Sequence, residues 1–413
     1  MGITVEVNSL GEMCDMMRNN QLPKPRRRRN TKYLYDENQS PEGMVSVSQL
    51  QTFLSCAKKW SYNYIDNLTP RVDRAYLTIG KLCHRGMQIA MQTAWKDQRS
   101  DMCTDYYTTD RWKSWMDAGV NAIGEEWREY MESVPLLDEE VPDMEQMYYD
   151  ALSVFRQAFE EFQPWKYRVM SVVRDGIEYP ALELHFKVPC QPTKGLHGFI
   201  DAILQDKETG FVWCTDYKFR RSLSPDEEEA FNIQNAVYSY ACTKMGIQIT
   251  GTMTWQHVNT PAADPAILKN GSVSRAKIKT TWSHYWRFLV EHDQDPEDYE
   301  EEMVPKLADI EWYRPTLEYR NPETVDRIWK TCVLPVARKI KLAYGKNAVN
   351  HPSLYPWNCK MCQYQSICQA ELRDYDVAAI KQREYTVRER NTSPKASEVS
   401  LLASDNSDGF EEG

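Results

Sequence analysis

Two short apolar runs constrain this chain more than any other feature. Phe199–Leu204 and Phe211–Tyr217 flank the turn-like Gln205–Gly210, the pattern of two neighbouring strands joined by a short connection. The first run carries Asp201 and the second Asp216. Lys218 follows Asp216 by two residues, so strand geometry puts both on one face. Two carboxylates and a lysine gathered on one face are costly to bury without a ligand. Carboxylates suit a hard cation such as Mg²⁺. A lysine beside them can orient a water or steady charge on a phosphate in the transition state. The expectation is a metal-dependent phosphodiesterase site.

The rest of the chain bounds that expectation. With 413 residues there is room for one large or two ordinary domains. No apolar stretch reaches the ~20 residues of a membrane helix, and the N-terminus lacks the charged and apolar regions of a secretory signal. The eleven cysteines are scattered, which fits a reducing compartment. A net charge of −10 argues against an overall basic nucleic-acid binder, but leaves room for a local positive groove.

Residues 1–43 read as a flexible arm with the basic run Lys24–Arg29. One large domain is expected over 44–380, and a disordered acidic tail over 381–413. Within the domain, Leu50, Phe53, Leu54, Ala57, Trp60 and Tyr64 recur at helical spacing, so a helix runs from about Gln49. Cys56 lies in it. Tyr76–Trp95 reads as a second helix, with Gly80 and His84 one turn apart on one face; the glycine lets another element approach. A helical insertion over about 96–166 packs Trp112, Trp115, Trp127, Tyr130, Phe155, Phe159 and Phe162, interrupted by an acidic loop near Leu136–Glu145. The sheet follows over about 167–260. Glu183, on the strand before Asp201, is either a third acidic contributor or an exposed strand residue. A helix through Ala230–Met245 carries Gln234 and Tyr238 one turn apart. Residues 261–350 are mostly helical in pattern, with Trp282, Trp286, Trp312 and Trp329 as packing residues.

Near the end, Cys359, Cys362 and Cys368 stand in C-x₂-C-x₅-C spacing within the cluster 356–368. Three local thiols need a fourth ligand from elsewhere. Zinc accepts a distant Cys or His, and an iron–sulfur cluster most simply takes a fourth thiolate; spacing does not choose between them.

In order, these motifs resemble the RecB-like, iron–sulfur branch of the PD-(D/E)XK nucleases, which includes the AddB nuclease domain and CRISPR-associated adaptation exonucleases. The matching residues are Ser46-Val47-Ser48-Gln49-Leu50 with Cys56, Gly80 with His84, and Gly198-Phe199-Ile200-Asp201 with Asp216-Tyr217-Lys218. Gln234 with Tyr238 and the three late cysteines complete the set. Cys56 is followed by Ala57 where many relatives have proline. The resemblance implies an α/β, restriction-endonuclease-like mixed sheet flanked by helices, with large helical insertions and a C-terminal iron–sulfur clasp. It implies Mg²⁺ or Mn²⁺ held by His84, Asp201, Asp216 and the Tyr217 carbonyl, and Lys218 activating water. Gln234 and Tyr238 would orient Lys218 and the substrate, and Arg220 and Arg221 would bind the substrate. Cys56 would complete a [4Fe–4S] site with Cys359, Cys362 and Cys368. The implied activity is a DNA exonuclease preferring single strands, in recombination, repair or DNA processing, phage-borne, cytoplasmic (in a bacterial cytoplasm or a phage-infected cell) and working beside a separate helicase or recombination protein. The competing class is a non-catalytic nucleic-acid-binding or assembly factor on the same fold. An unrelated zinc protein is the third.

Overall fold

A computed structural model describes residues 44–71, 75–100, 111–133, 141–174, 176–345 and 350–387. The basic arm and the acidic tail beyond residue 387 lie outside the described residues.

The strands that carry the aspartates are the centre of a seven-stranded mixed sheet. Strand β1 (Val45–Ser46) leads into helices α1 (Val47–Ser55) and α2 (Ala57–Tyr64), then β2 (Leu68–Pro70). Three long helices follow: α3 (Ala75–Ser100), α4 (Trp112–Ser133) and α5 (Val141–Phe162). Then come β3 (Tyr167–Val169), β4 (Ser171–Arg174), β5 (Ile177–Pro180), β6 (Leu182–Val188), β7 (Leu196–Asp206) and β8 (Val212–Arg220). Helices α6 (Asp226–Ala230) and α7 (Ile233–Met245) precede β9 (Gly251–Val258). The sheet runs β1-β7-β8-β9 and on to β10 (Tyr313–Glu318), with β3 and β6 also on β7. β4 and β5 form a separate hairpin.

Register places the site. β7 and β8 are antiparallel, and their ladder stops at Ala202 opposite Thr215. The next pair would be Asp201 and Asp216. Beyond that point β7 pairs with β1 at Leu196 and His197 instead, while β8 continues beside β9. The two central strands therefore fork at the aspartates. Gly198 is needed where β7 turns to β1: a Cβ there would lie 2.8 Å from Val47 Cγ2 and 3.0 Å from the Phe186 ring. On β7's other edge the β6 ladder skips Glu183, which sits at φ 45° between the pairs Leu182–Ala202 and Leu184–Ile200. Such left-handed backbone is uncommon outside glycine.

Apolar faces cover both sides of the sheet. On one side α3, α4 and α5 bury Met87, Met91, Trp115, Phe155 and Phe159 against Trp213, Tyr217 and Trp255. Trp112, Trp127, Tyr130 and Phe162 join this core, so the expected aromatic packing is met. On the other side α1, α2, α7 and α10 (Leu334–Ala343) pack Leu50, Trp60, Val237, Tyr238 and Ile340 on Ile200, Ile203 and Cys214. A third small core joins α8 (Trp282–Glu291) to α9 (Glu297–Ala308) through Tyr285, Leu289, Tyr299 and Met303.

Several boundaries differ from expectation for local reasons. The helix expected from Gln49 breaks at Cys56, whose backbone is extended and whose sulfur caps α2 by accepting from Lys59 N at 3.4 Å. The helix expected over Ala230–Met245 breaks at Asn232, whose side chain accepts from Gln234 N and starts α7. The late part of the acidic stretch is already helical, because α5 begins at Val141. Trp286 is exposed rather than packed. Residues 381–387, expected in the disordered tail, instead end α11 (Ala378–Glu384) and form β11 (Tyr385–Val387), which pairs antiparallel with β2. A three-residue strand amid charged sequence leaves almost no periodic signal. Among the described residues no helix is long and apolar enough to cross a membrane.

Candidate active site

The fork gathers side chains from both layers. From α3, His84 Nδ1 lies 3.6 Å from Asp201 Oδ2. The same oxygen accepts from Tyr217 N at 2.8 Å, so a β8 amide serves the carboxylate at the opening of the fork. Asp216 points to the α7 side. Its Oδ1 accepts from Lys218 Nζ at 2.9 Å and from Gln234 Nε2 at 3.0 Å. Its Oδ2 is 2.6 Å from Lys218 Nζ, off the direction of a hydrogen bond, and is otherwise unpartnered. The expected single face is thus replaced by a cleft between splayed strands, reached by His84 from one layer and Gln234 from the other.

Gln234 is the hub of the α7 side. Its Nε2 also donates to Tyr238 Oη at 2.7 Å, and its Oε1 accepts from Lys218 Nζ at 3.3 Å and from Gln51 Nε2 at 3.1 Å. All four hydrogen-bonding positions of the amide are used. Gln51, on α1, also donates to Asn232 Oδ1. Sequence reading passed over Gln51. Its only local signal is a position one residue beyond Leu50, and its partners are about 180 residues away.

Burial sets the electrostatics. Asp216 is 3% exposed at its side chain and Lys218 26%. Desolvation raises the Asp201 pKa, and the Asp216 charge raises it further. His84, Lys218 and the Tyr217 N–H pull it back only in part. Tyr238 is likewise pushed well above its ordinary value by burial, then by Asp216 and Asp201, so its phenol stays protonated.

An open cavity of about 300 Å³ adjoins the cleft, lined by Leu77, Gly80, His84, Lys218, Phe219, Arg220 and Arg221. β8 does approach α3 at Gly80. A Cβ there would sit 3.8 Å from Phe219, an ordinary contact, so the glycine keeps the cavity open rather than relieving a clash. Arg221 is exposed at the rim. Arg220 also lines the cavity, but its Nη1 donates to Ser224 Oγ, Glu229 Oε1 and Gln256 Oε1. It ties the segment leading to α7 onto β9. Glu183 flanks Asp201, and its charge helps to raise the Tyr217 phenol.

The four cysteines lie within electrostatic reach of one another, but among the described residues no three of them are arranged to hold one metal ion. Cys56 Sγ accepts from Lys59 N and from Ser353 N, both at 3.4 Å. Cys362 Sγ accepts from Tyr364 N at 3.4 Å. Burial raises the Cys368 thiol to about 11, with Cys56, Cys362, Glu371 and Cys359 adding to the shift. Cys362 is raised by burial too, with Cys56 and Cys359 contributing. The chain ends that bring them together are also held by ordinary protein contacts. These are the β2–β11 ladder, a core of Tyr62, Leu68, Tyr364, Ile367 and Tyr385, and a Lys58–Glu371 ion pair at 2.5 Å.

Among the described residues, no three His, Cys, Asp or Glu side chains are arranged to hold one metal ion. In the cleft the reason is visible: Asp216 is engaged with Lys218 and Gln234 rather than turned to Asp201 and His84. In kind, however, the donors match a hard divalent ion. Two buried, mutually repelling carboxylates, one with an unpartnered oxygen, are the charge such an ion would neutralise.

A mixed sheet forked at two aspartates, with a lysine two residues beyond the second, defines a nuclease class of site. The family model of the PD-(D/E)XK nuclease superfamily matches residues 44–369, and the chain belongs to that superfamily. The architecture is consistent with its restriction-endonuclease-like fold. Its members are usually metal-dependent nucleases that use divalent ions such as Mg²⁺, and the fold implies a nucleic-acid substrate. A comparison with curated proteins gives no match.

Proposed function

We propose that the chain is a Mg²⁺- or Mn²⁺-dependent DNA exonuclease of the RecB-like branch. It prefers single strands and acts in recombination, repair or DNA processing beside a separate helicase or recombination protein. The observation that carries this reading is the bonded set Asp216–Lys218–Gln234 in the fork beside the buried carboxylate of Asp201. A binding module gains nothing from burying two repelling carboxylates.

His84, Asp201, Asp216 and the Tyr217 carbonyl would hold the ion. When bound, a divalent ion supplies Lewis acidity toward the phosphate and lowers the pKa of water. The chain's own residues do the rest. Lys218 orients the attacking water and balances charge on the phosphoryl oxygens. Gln234, fixed by Gln51 and Tyr238, holds the Lys218 ammonium in place. Arg221, and Arg220 on its free edge, face the phosphates. Cys56, Cys359, Cys362 and Cys368 would hold a [4Fe–4S] cluster that joins the two chain ends; backbone N–H donors on two of the sulfurs suit thiolates.

The test is cleavage of single- and double-stranded DNA labelled at either end, with and without Mg²⁺. The expected result is metal-dependent shortening of single strands that is lost in Lys218→Ala. Cleavage that survives in both Asp216→Ala and Lys218→Ala refutes the site.

A further inference from the structure

Beside the cleft, β6 and β7 present a second, unassigned group of side chains. Phe199 pairs across the ladder with His185, and His197 with Lys187. Cross-strand partners share a face, so the four form one block. Phe199 is two residues before Asp201 on the same strand, about 7 Å along it. Its ring stacks on His185 with centroids 4.3 Å apart and planes 17° from parallel. His185 Nε2 and His197 Nδ1 are 3.4 Å apart. The Phe199 side of the stack stays open, and the residue is 40% exposed.

We propose that this block is a nucleobase-stacking subsite that holds an unpaired base of the substrate next to the bond being cut. The inference rests on the nuclease reading and adds to it the part of the substrate that is recognised. Three features favour a base over a phosphate or a protein partner. The surface is aromatic and continuous with the cleft. Its imidazoles are uncharged at neutral pH: burial lowers His185 to about 3 and His197 to about 4, helped by Lys187. The carboxylates at its near end would repel an acidic ligand unless its charge were met at the ion site, whereas a neutral base meets no such penalty. An unpaired base offers its face, whereas inside a duplex both faces of a base are covered by its neighbours. Stacking of this kind tolerates any sequence, as an exonuclease requires.

The experiment measures binding by anisotropy without divalent metal, so that nothing is cut. It uses an end-labelled single-stranded oligonucleotide, a labelled duplex of the same sequence closed by a hairpin at each end, and single strands each carrying one abasic site. Phe199→Ala is expected to weaken single-strand binding roughly 5- to 150-fold, the range for losing one base–aromatic stack. Duplex binding should be unchanged. Phe199→Trp should keep the parent affinity, and Phe199→Leu, apolar but without a π face, should behave like Phe199→Ala while packing as the parent does. An abasic site at one position should reproduce the loss in the parent and add nothing in Phe199→Ala. Tyr149→Ala removes an aromatic that is 61% exposed on α5; it should change nothing. The subsite is overturned if Phe199→Ala and Phe199→Leu bind single strands within about twofold of the parent, or if single strands and duplex weaken equally. A matching loss in Tyr149→Ala overturns it as well. If the parent shows the Phe199-dependent binding but cleaves nothing with Mg²⁺ or Mn²⁺, the subsite stands and the nuclease reading fails. A parent that binds no single strand overturns the subsite, and the metal-dependent cleavage assay then judges the nuclease reading by itself.

Discussion

Replacing Gln234 by leucine tests the cleft most directly. The side chains are similar in volume, so the change removes hydrogen bonds with little cavity. Four are lost: to Asp216 and from Lys218, both to charged groups, and to Tyr238 and from Gln51. Bonds to charged groups contribute about 1.5–3 kcal/mol each and neutral ones about 0.5–1.5. The simple sum, about 4–9 kcal/mol, is an upper bound. Lys218 is 26% exposed and keeps Asp216, and water can reach the cleft through the adjoining cavity. A loss of about 2–4 kcal/mol in urea unfolding is expected, most of it from Asp216, which stays buried with one partner fewer. If Gln234 holds Lys218 in line, kcat on single-stranded DNA falls about 10²-fold with KM little changed. Gln234→Glu separates the roles. It restores an acceptor for Lys218 but sets a third carboxylate beside two others, so it should unfold more easily as pH rises. A Gln234→Leu protein within about 0.5 kcal/mol of the parent, with unaltered kcat, would refute the reasoning.

Three further outcomes follow from the same geometry. Asp201 has its pKa raised in the folded state, so folding binds a proton between the unfolded value and the raised one. Stability then falls as pH climbs through that window, and the penalty is complete above it. Asp201→Asn should therefore be more stable than the parent at neutral pH and not at pH below the unfolded carboxylate value, and Mg²⁺ should raise the Tm of the parent only; thermal melts against pH check both. Gly198→Ala forces a Cβ within 3.0 Å of Val47 and Phe186 and should cost about 1–3 kcal/mol. Gly80→Ala meets only ordinary contacts and should gain up to about 1 kcal/mol of helix stability; denaturant titration of the pair distinguishes packing from propensity. Purified protein should be brown, and Cys56→Ser should lose the colour and much of its solubility. Zinc, being d¹⁰, would leave the parent colourless, and a stable, active, colourless Cys56→Ser protein with a coloured parent would sink the clasp.

Much of the site was legible because it is local. Asp201, Asp216 and Lys218 sit on strands whose apolar runs are written in consecutive residues, and Gln234 and Tyr238 are one helical turn apart. The breaks at Cys56 and Asn232 were hidden for the opposite reason: one capping residue interrupts a helix without disturbing the apolar spacing on either side. β11 was missed because its partner, β2, is more than 300 residues away.

By itself the sequence determined which residues are available: two strand-borne carboxylates, a lysine in phase with one of them, a histidine one turn from a glycine, and thiols near both ends of the domain. Tertiary structure alone decided how they meet. The β7–β8 ladder ends at Ala202 and Thr215 because β1 takes over the edge of β7. That fork, rather than a common sheet face, brings Asp201 toward His84 and turns Asp216 to Lys218 and Gln234. It also decided that Gln51 braces Gln234 and that Phe199 stacks on His185 beside the cleft. Pleat and helix period are properties of neighbouring residues and survive in the one-dimensional text; strand exchange and cross-layer hydrogen bonds depend on pairings tens to hundreds of residues apart, which no local pattern records.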